Sequence, residues 1–151
     1  MAIYTSRYSN PALRTGEYTT VRISAGHPKW NLGYRLDCEI SGLIPFGLFN
    51  NPKLDRGSYR RLYLQRLDKN ERYIFKALAE LCRKGKDVVL LCYEDVRKPG
   101  NWCHRTAFAE WWKLMTGEVV EELHDPTPAP RLPQPTNNVT SRDEVQTSMF
   151  N

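Results

Sequence analysis

The chain has 151 residues, 40% hydrophobic and 26% charged, with 22 Lys+Arg against 17 Asp+Glu for a net charge of +5. That composition excludes a wholly disordered or coiled-coil chain, and no run approaches the roughly 20 apolar residues of a membrane-spanning helix. The length suits one domain, able to bury roughly 68–70% of the surface its unfolded chain exposes without help from disulfides or metals.

The first fourteen residues hold no apolar stretch behind a basic start, so no secretory signal is read there. A cytoplasmic location is therefore expected, with Cys38, Cys82, Cys92 and Cys103 as reduced thiols. The net charge is uneven. Residues 1–116 hold 20 Lys+Arg and 11 Asp+Glu, a net +9, whereas residues 117–151 hold 2 and 6, a net −4. A basic body points to an anionic partner, either a small phosphorylated molecule or nucleic acid.

In chain order, residues 3–6 and 21–24 read as short strands. Residues 25–53 are rich in Gly, Pro and aromatics, the composition of a binding loop. Residues 57–67 place Tyr59, Leu62, Tyr63, Arg66 and Leu67 at helical spacing. A second helix is expected over 68–83, with Asp68 and Glu71 as a capping box and Gly85 as its stop. The run over 88–93, Val-Val-Leu-Leu-Cys-Tyr, is apolar throughout and reads as a strand covered on both faces of a parallel sheet. A helix follows over 102–115, and a last strand over 119–123. Trp111 and Trp112 are adjacent, so only one of them is expected to face the core. From Asp125 five prolines fall within eleven residues, which marks an extended tail. Asn138-Val139-Thr140 forms a glycosylation sequon, without meaning in a cytoplasmic tail. Residues 145–151 are read as a frayed end. The expected fold is α/β, a small Rossmann-like three-layer sandwich with a mostly parallel sheet over residues 1–123, followed by a flexible tail over 124–151.

One cluster stands out: Cys92-Tyr93-Glu94, then Cys103-His104-Arg105. The first group ends the central strand and the second opens the next helix, so both face the crevice where open α/β sheets bind ligands. The helix N-terminus there favours an anion and lowers a thiol pKa. Cys103 is then a nucleophile, with His104 and Glu94 as acid/base groups. In a second reading Cys92, Cys103 and His104 ligate zinc or iron, although their spacing matches no standard finger. In a third, Arg105 and the helix end hold a phosphate or carboxylate while the cysteines pack. Arg7, Thr5, Ser6 and Ser24, at neighbouring strand ends, would join Arg105 in holding the anion; Ser and Thr at strand ends are also common turn formers. His27 before Pro28 reads as a loop residue. Arg56, Arg60, Arg61, Arg66, Lys69, Arg72 and Lys76, interleaved with Tyr59, Tyr63 and Tyr73, form a basic face that could track nucleic acid or simply be solvated.

Leu-Leu-Cys-Tyr-Glu followed by Cys-His-Arg resembles the bacterial and phage domain of unknown function 488 family. The resemblance extends to Tyr4-Thr5-Ser6, Arg22-Ile23-Ser24, Pro28, Trp30, Ile44-Pro45-Phe46, Tyr63, Leu67, Gly117-Glu118-Val119 and Glu122-Leu123. It implies an α/β domain with a polar pocket over roughly residues 3–123 and no assigned activity. The leading expectation is a small enzyme acting on a nucleotide-like or phosphorylated anion. A non-catalytic protein that binds a nucleotide or nucleic acid is the alternative.

Overall fold

The computed structural model describes residues 2–131; the sequon and the expectations for residues 132–151 lie outside them. Five strands, β1 (Ile3–Arg7), β2 (Tyr18–Arg22), β3 (Cys38–Glu39), β4 (Asp87–Cys92) and β5 (Glu121–Glu122), form one parallel sheet in the order β3-β2-β4-β1-β5. The helices are α1 (Arg56–Lys69), α2 (Glu71–Cys82) and α3 (His104–Thr116). The architecture is thus α/β with a parallel sheet. Among the described residues no helix is long and apolar enough to cross a membrane.

β4 is central because its side chains have apolar partners on both faces. Val88 and Leu90 point into a core shared with Tyr63, Ile74, Leu78, Phe108 and Trp112, contributed by all three helices. Val89 and Leu91 point the other way, into a smaller core with Tyr8, Leu13, Leu32 and Leu123. The α-helices therefore share one face. A 3-10 turn over Pro11–Thr15 and the loop around Leu32 supply the layer on the other.

Several boundaries differ from expectation. Asp68 does not cap a helix: it lies in the last turn of α1, and its carboxylate accepts from the Trp111 indole N–H at 2.8 Å. The break falls at Asn70, whose side-chain amide and backbone N–H both donate to the Arg66 carbonyl, ending α1 one residue before α2 starts. Trp111 and Trp112 are both buried, at 4% and 6% exposure, so the expectation that only one faces the core is corrected. Helices on both flanks of α3 make this work. Trp111 bonds to α1, while Trp112 lies against Phe75 of α2 (4.7 Å between centroids) and stacks on Phe108 (5.7 Å). β3 falls in the stretch expected to be a loop, because two residues that pair only with β2 leave no local pattern.

Three residues of the expected tail are tied to the domain by their carbonyls. Asn10 donates to the His124 carbonyl at 3.1 Å, and Arg97 donates to the carbonyls of Asp125 (3.3 Å) and Thr127 (2.6 Å).

Candidate functional site

β4 delivers Cys92 to the carboxyl edge of the sheet with 1% exposure. The chain leaves through Tyr93 and Glu94 and folds a loop braced by the Asp95 carbonyl, which accepts from the Asn101 amide at 3.1 Å. It returns at Cys103, the residue before the first turn of α3. Cys103 stands in the N-cap position with extended backbone (φ −139°, ψ 147°), but its side chain makes no capping hydrogen bond. The sulfur turns inward and meets the sulfur of Cys92, while the two Cα atoms stay 7.7 Å apart. The expectation of four independent thiols is corrected for this pair; Cys38 and Cys82 are unpaired.

His104 opens α3 at 6% exposure. Its Nε2 lies 2.6 Å from the Ile23 carbonyl, which only accepts, so Nε2 carries the proton. Nδ1 is left with its lone pair, 3.6 Å from Cys103 Sγ. Burial pushes the imidazole pKa down to about 4; the Ile23 bond opposes the shift and the charge of Arg105 adds to it. The ring is neutral at pH 7. The donor atoms of Cys92, Cys103 and His104 all lie within 4.8 Å of one another.

This trio forms the floor of a cavity of about 310 Å³. Ser24, Ala25 and Gly26 wall it from the end of β2, held by the Arg22 guanidinium, which donates to the carbonyls of Ser24 (2.5 Å) and Ala25 (3.1 Å). Pro45, Phe49, Leu54 and the start of α1 close the opposite side. Tyr59 and Trp102 add an aromatic wall, edge to face at 5.0 Å. Burial and the neighbouring Glu94 carboxylate push the Tyr59 hydroxyl pKa up, keeping it a neutral donor. Among the described lining residues Arg56 is the only Lys or Arg, against two carboxylates, Asp55 and Glu94. Sequence reading missed Asp55, Arg56, Tyr59 and Trp102 as lining groups. The signal was the helix start at residue 57, since helix N-termini and strand ends share this edge.

Ser24, Glu94, Cys103 and His104 thus come together, with Cys92. The other expected anion ligands do not. Arg105 is 0% exposed and fully engaged. Its Nε and Nη2 grip both oxygens of Glu122 at 2.9 and 2.7 Å, Nη2 also donates to the Glu94 carbonyl, and Nη1 donates to Cys92 Sγ at 2.9 Å. It is not a free anion clamp. Arg7 is likewise paired with Asp125 at 2.6 Å and faces Asp95 at 3.7 Å. Thr5 donates to Glu122 and Ser6 to the Arg7 carbonyl. Ser24 does line the cavity, but its hydroxyl donates to the Gly26 carbonyl and accepts from Tyr8. A buried arginine requires a carboxylate, and that requirement is the signal that could have found Glu122.

On the basic face, Tyr63 is wholly buried and Tyr59 belongs to the cavity, which leaves Tyr73 as the exposed tyrosine. Arg60 pairs with Glu110, and Arg66 donates to the Phe46 carbonyl. His27 is exposed, in the loop after β2. No family model, no curated protein and no solved structure matches the chain.

Proposed function

We propose that the protein is an enzyme acting on a small, planar, uncharged heterocycle, the base-like half of the nucleotide-like substrate expected from sequence. The observation that carries this reading is the composition of the cavity. Two soft sulfurs and a neutral imidazole lie at its floor, aromatic rings form one wall, and carboxylates outnumber the one guanidinium at its margin. A half-open cleft of about 310 Å³ with few, convergent polar groups is a usual form of a small-molecule site. The phosphorylated half of the expectation loses its support, because Arg105 and Arg7 are already neutralised by Glu122 and Asp125.

In this reading Tyr59 and Trp102 hold the ring by stacking or edge contacts. The Cys92–Cys103–His104 trio is the reacting centre, and Glu94, exposed at the rim, carries protons to and from solvent. Calorimetric titration with pyrimidine and purine nucleosides and their monophosphates tests it. The nucleosides should bind saturably and more tightly than the phosphorylated forms. Tyr59→Ala should weaken binding about tenfold, within the roughly 1–3 kcal/mol of one base–aromatic contact. Glu94→Gln should leave binding within about twofold and lower turnover about 10²–10⁴-fold. Tighter binding of the monophosphates, or no saturable binding of either, would overturn the proposal.

A further inference from the structure

We infer that Cys92, Cys103 and His104 hold one zinc ion at the floor of the cavity, with its fourth position open to the substrate space. The inference rests on the reading of this trio as the reacting centre and gives that centre its identity.

Geometry comes first. Tetrahedral zinc binds sulfur at about 2.3 Å and imidazole nitrogen at about 2.0–2.1 Å, which separates the two donor atoms by roughly 3.6 Å. Cys103 Sγ and His104 Nδ1 lie 3.6 Å apart. The Cα atoms of Cys92 and Cys103 are 7.7 Å apart, wider than the roughly 4.4–6.8 Å of a relaxed disulfide. The two sulfurs touch in this structure, so in the reduced protein they must part to roughly 3.8 Å to share one zinc, and the wide Cα spacing permits that rotation.

The surroundings are those of a ligand set. A metal-binding histidine is oriented by the hydrogen bond of its other nitrogen. Here the Ile23 carbonyl takes the Nε2 proton and aims the Nδ1 lone pair at the sulfurs. Arg105 donates to Cys92 Sγ, the interaction a thiolate accepts most readily. Cys103 forgoes capping α3 so that its sulfur can enter the trio. Charge points the same way. Two thiolates below the carboxylates of Asp55 and Glu94 would repel one another, and a dication removes the conflict. Two thiolates and one imidazole are soft to borderline donors, which favours zinc over magnesium or calcium. The ligands come from a strand end and a helix start, which is why their spacing resembles no finger.

The test uses the full reduced chain and zinc alone. Elemental analysis after dialysis should find one zinc per chain, and competition against a chromophoric chelator should give a sub-micromolar Kd. Cys92→Ser and Cys103→Ser should each weaken binding by more than the roughly 10–100-fold of an outer-shell loss, while Cys38→Ser and Cys82→Ser should not change it. His104→Cys keeps a donor and should retain zinc. Cobalt in place of zinc should show the intense bands of a tetrahedral thiolate site, altered in His104→Cys. Reduced protein that binds no zinc, or binds it equally after Cys103→Ser, would overturn the inference. Nucleoside binding by such zinc-free protein would leave the cavity reading intact, and zinc binding without nucleoside binding would do the reverse.

Discussion

β1 and β4 run side by side and end in register, Arg7 opposite Cys92, yet the two strand ends have opposite character. At the end of β1 every charge is answered. Arg7, Arg97, Asp95 and Asp125 form one ion-pair network, and Thr5 and Arg105 converge on Glu122. At the end of β4 two sulfurs and an imidazole lone pair meet without a charge partner of their own, apart from the Arg105 contact to Cys92, and a cavity opens above them. The difference teaches that charge present is not charge available. A net basic body suggested an anion site, but Arg7 and Arg105, the arginines expected to hold the anion, are bonded to acids from the C-terminal segment. The β1 end is fully paired, whereas the donor atoms at the β4 end face an open cavity.

The largest loss is expected for Glu122→Ala, which strands the fully buried Arg105. Loss of one partner of a buried pair costs about 3–5 kcal/mol. Because the Glu122 side chain is 34% exposed, a loss near the lower end, about 3 kcal/mol, is expected in urea unfolding. A loss below about 1 kcal/mol would mean that the β1 end does not brace the fold.

The opposite result is expected at the β4 end. Cys103→Ser, measured with chelator and reductant present, puts a good N-cap residue at a position whose side chain now caps nothing. Stability should hold or rise by up to about 1 kcal/mol. A fall of more than about 2 kcal/mol would make Cys103 a structural residue and erase the contrast.

Arg7→Gln tests the outer part of the β1 end. Its guanidinium is 20% exposed, so loss of its pairs should cost only about 0.5–1 kcal/mol and leave nucleoside affinity unchanged. A tenfold change in affinity would place Arg7 in the binding site after all.

The smallest effect is in pH. The Arg97 side chain holds the Asp95 carboxyl below its usual range; for Asp125, burial raises the pKa but the bonds from Arg7 and Thr127 outweigh it. Both pKa values are lower folded than unfolded, so the stabilisation is complete above the unfolded value of about 3.9 and is lost as pH falls through the folded values. The stability gap between the parent protein and Arg7→Gln should be constant from neutral pH down to about 4 and close below it. A gap that persists at lower pH would assign it to packing.

What was legible in the sequence was whatever depends on neighbours along the chain. The continuous run of β4 announced burial on both faces, and a strand end followed by a polar helix start located Cys92, Cys103 and His104. What was hidden depends on distant partners. Arg105 looked like an anion ligand because Glu122 reaches it only when β5 pairs with β1. Trp111 and Trp112 looked mutually exclusive because their faces are judged against one partner, and α3 has two helical neighbours. The aromatic wall was hidden because Tyr59 and Trp102 are far apart in sequence and touch only in the folded chain.

The position of Glu122 late in the chain has a consequence during synthesis. Cys92, Cys103, His104 and Arg105 all leave the ribosome before the carboxylate that neutralises Arg105 has been made. Until Glu121 and Glu122 add to the sheet edge, α3 cannot dock without burying an unanswered guanidinium. The last strand, only two residues long, therefore acts as a latch: the cavity end of β4 takes its final shape only after Glu122 has emerged.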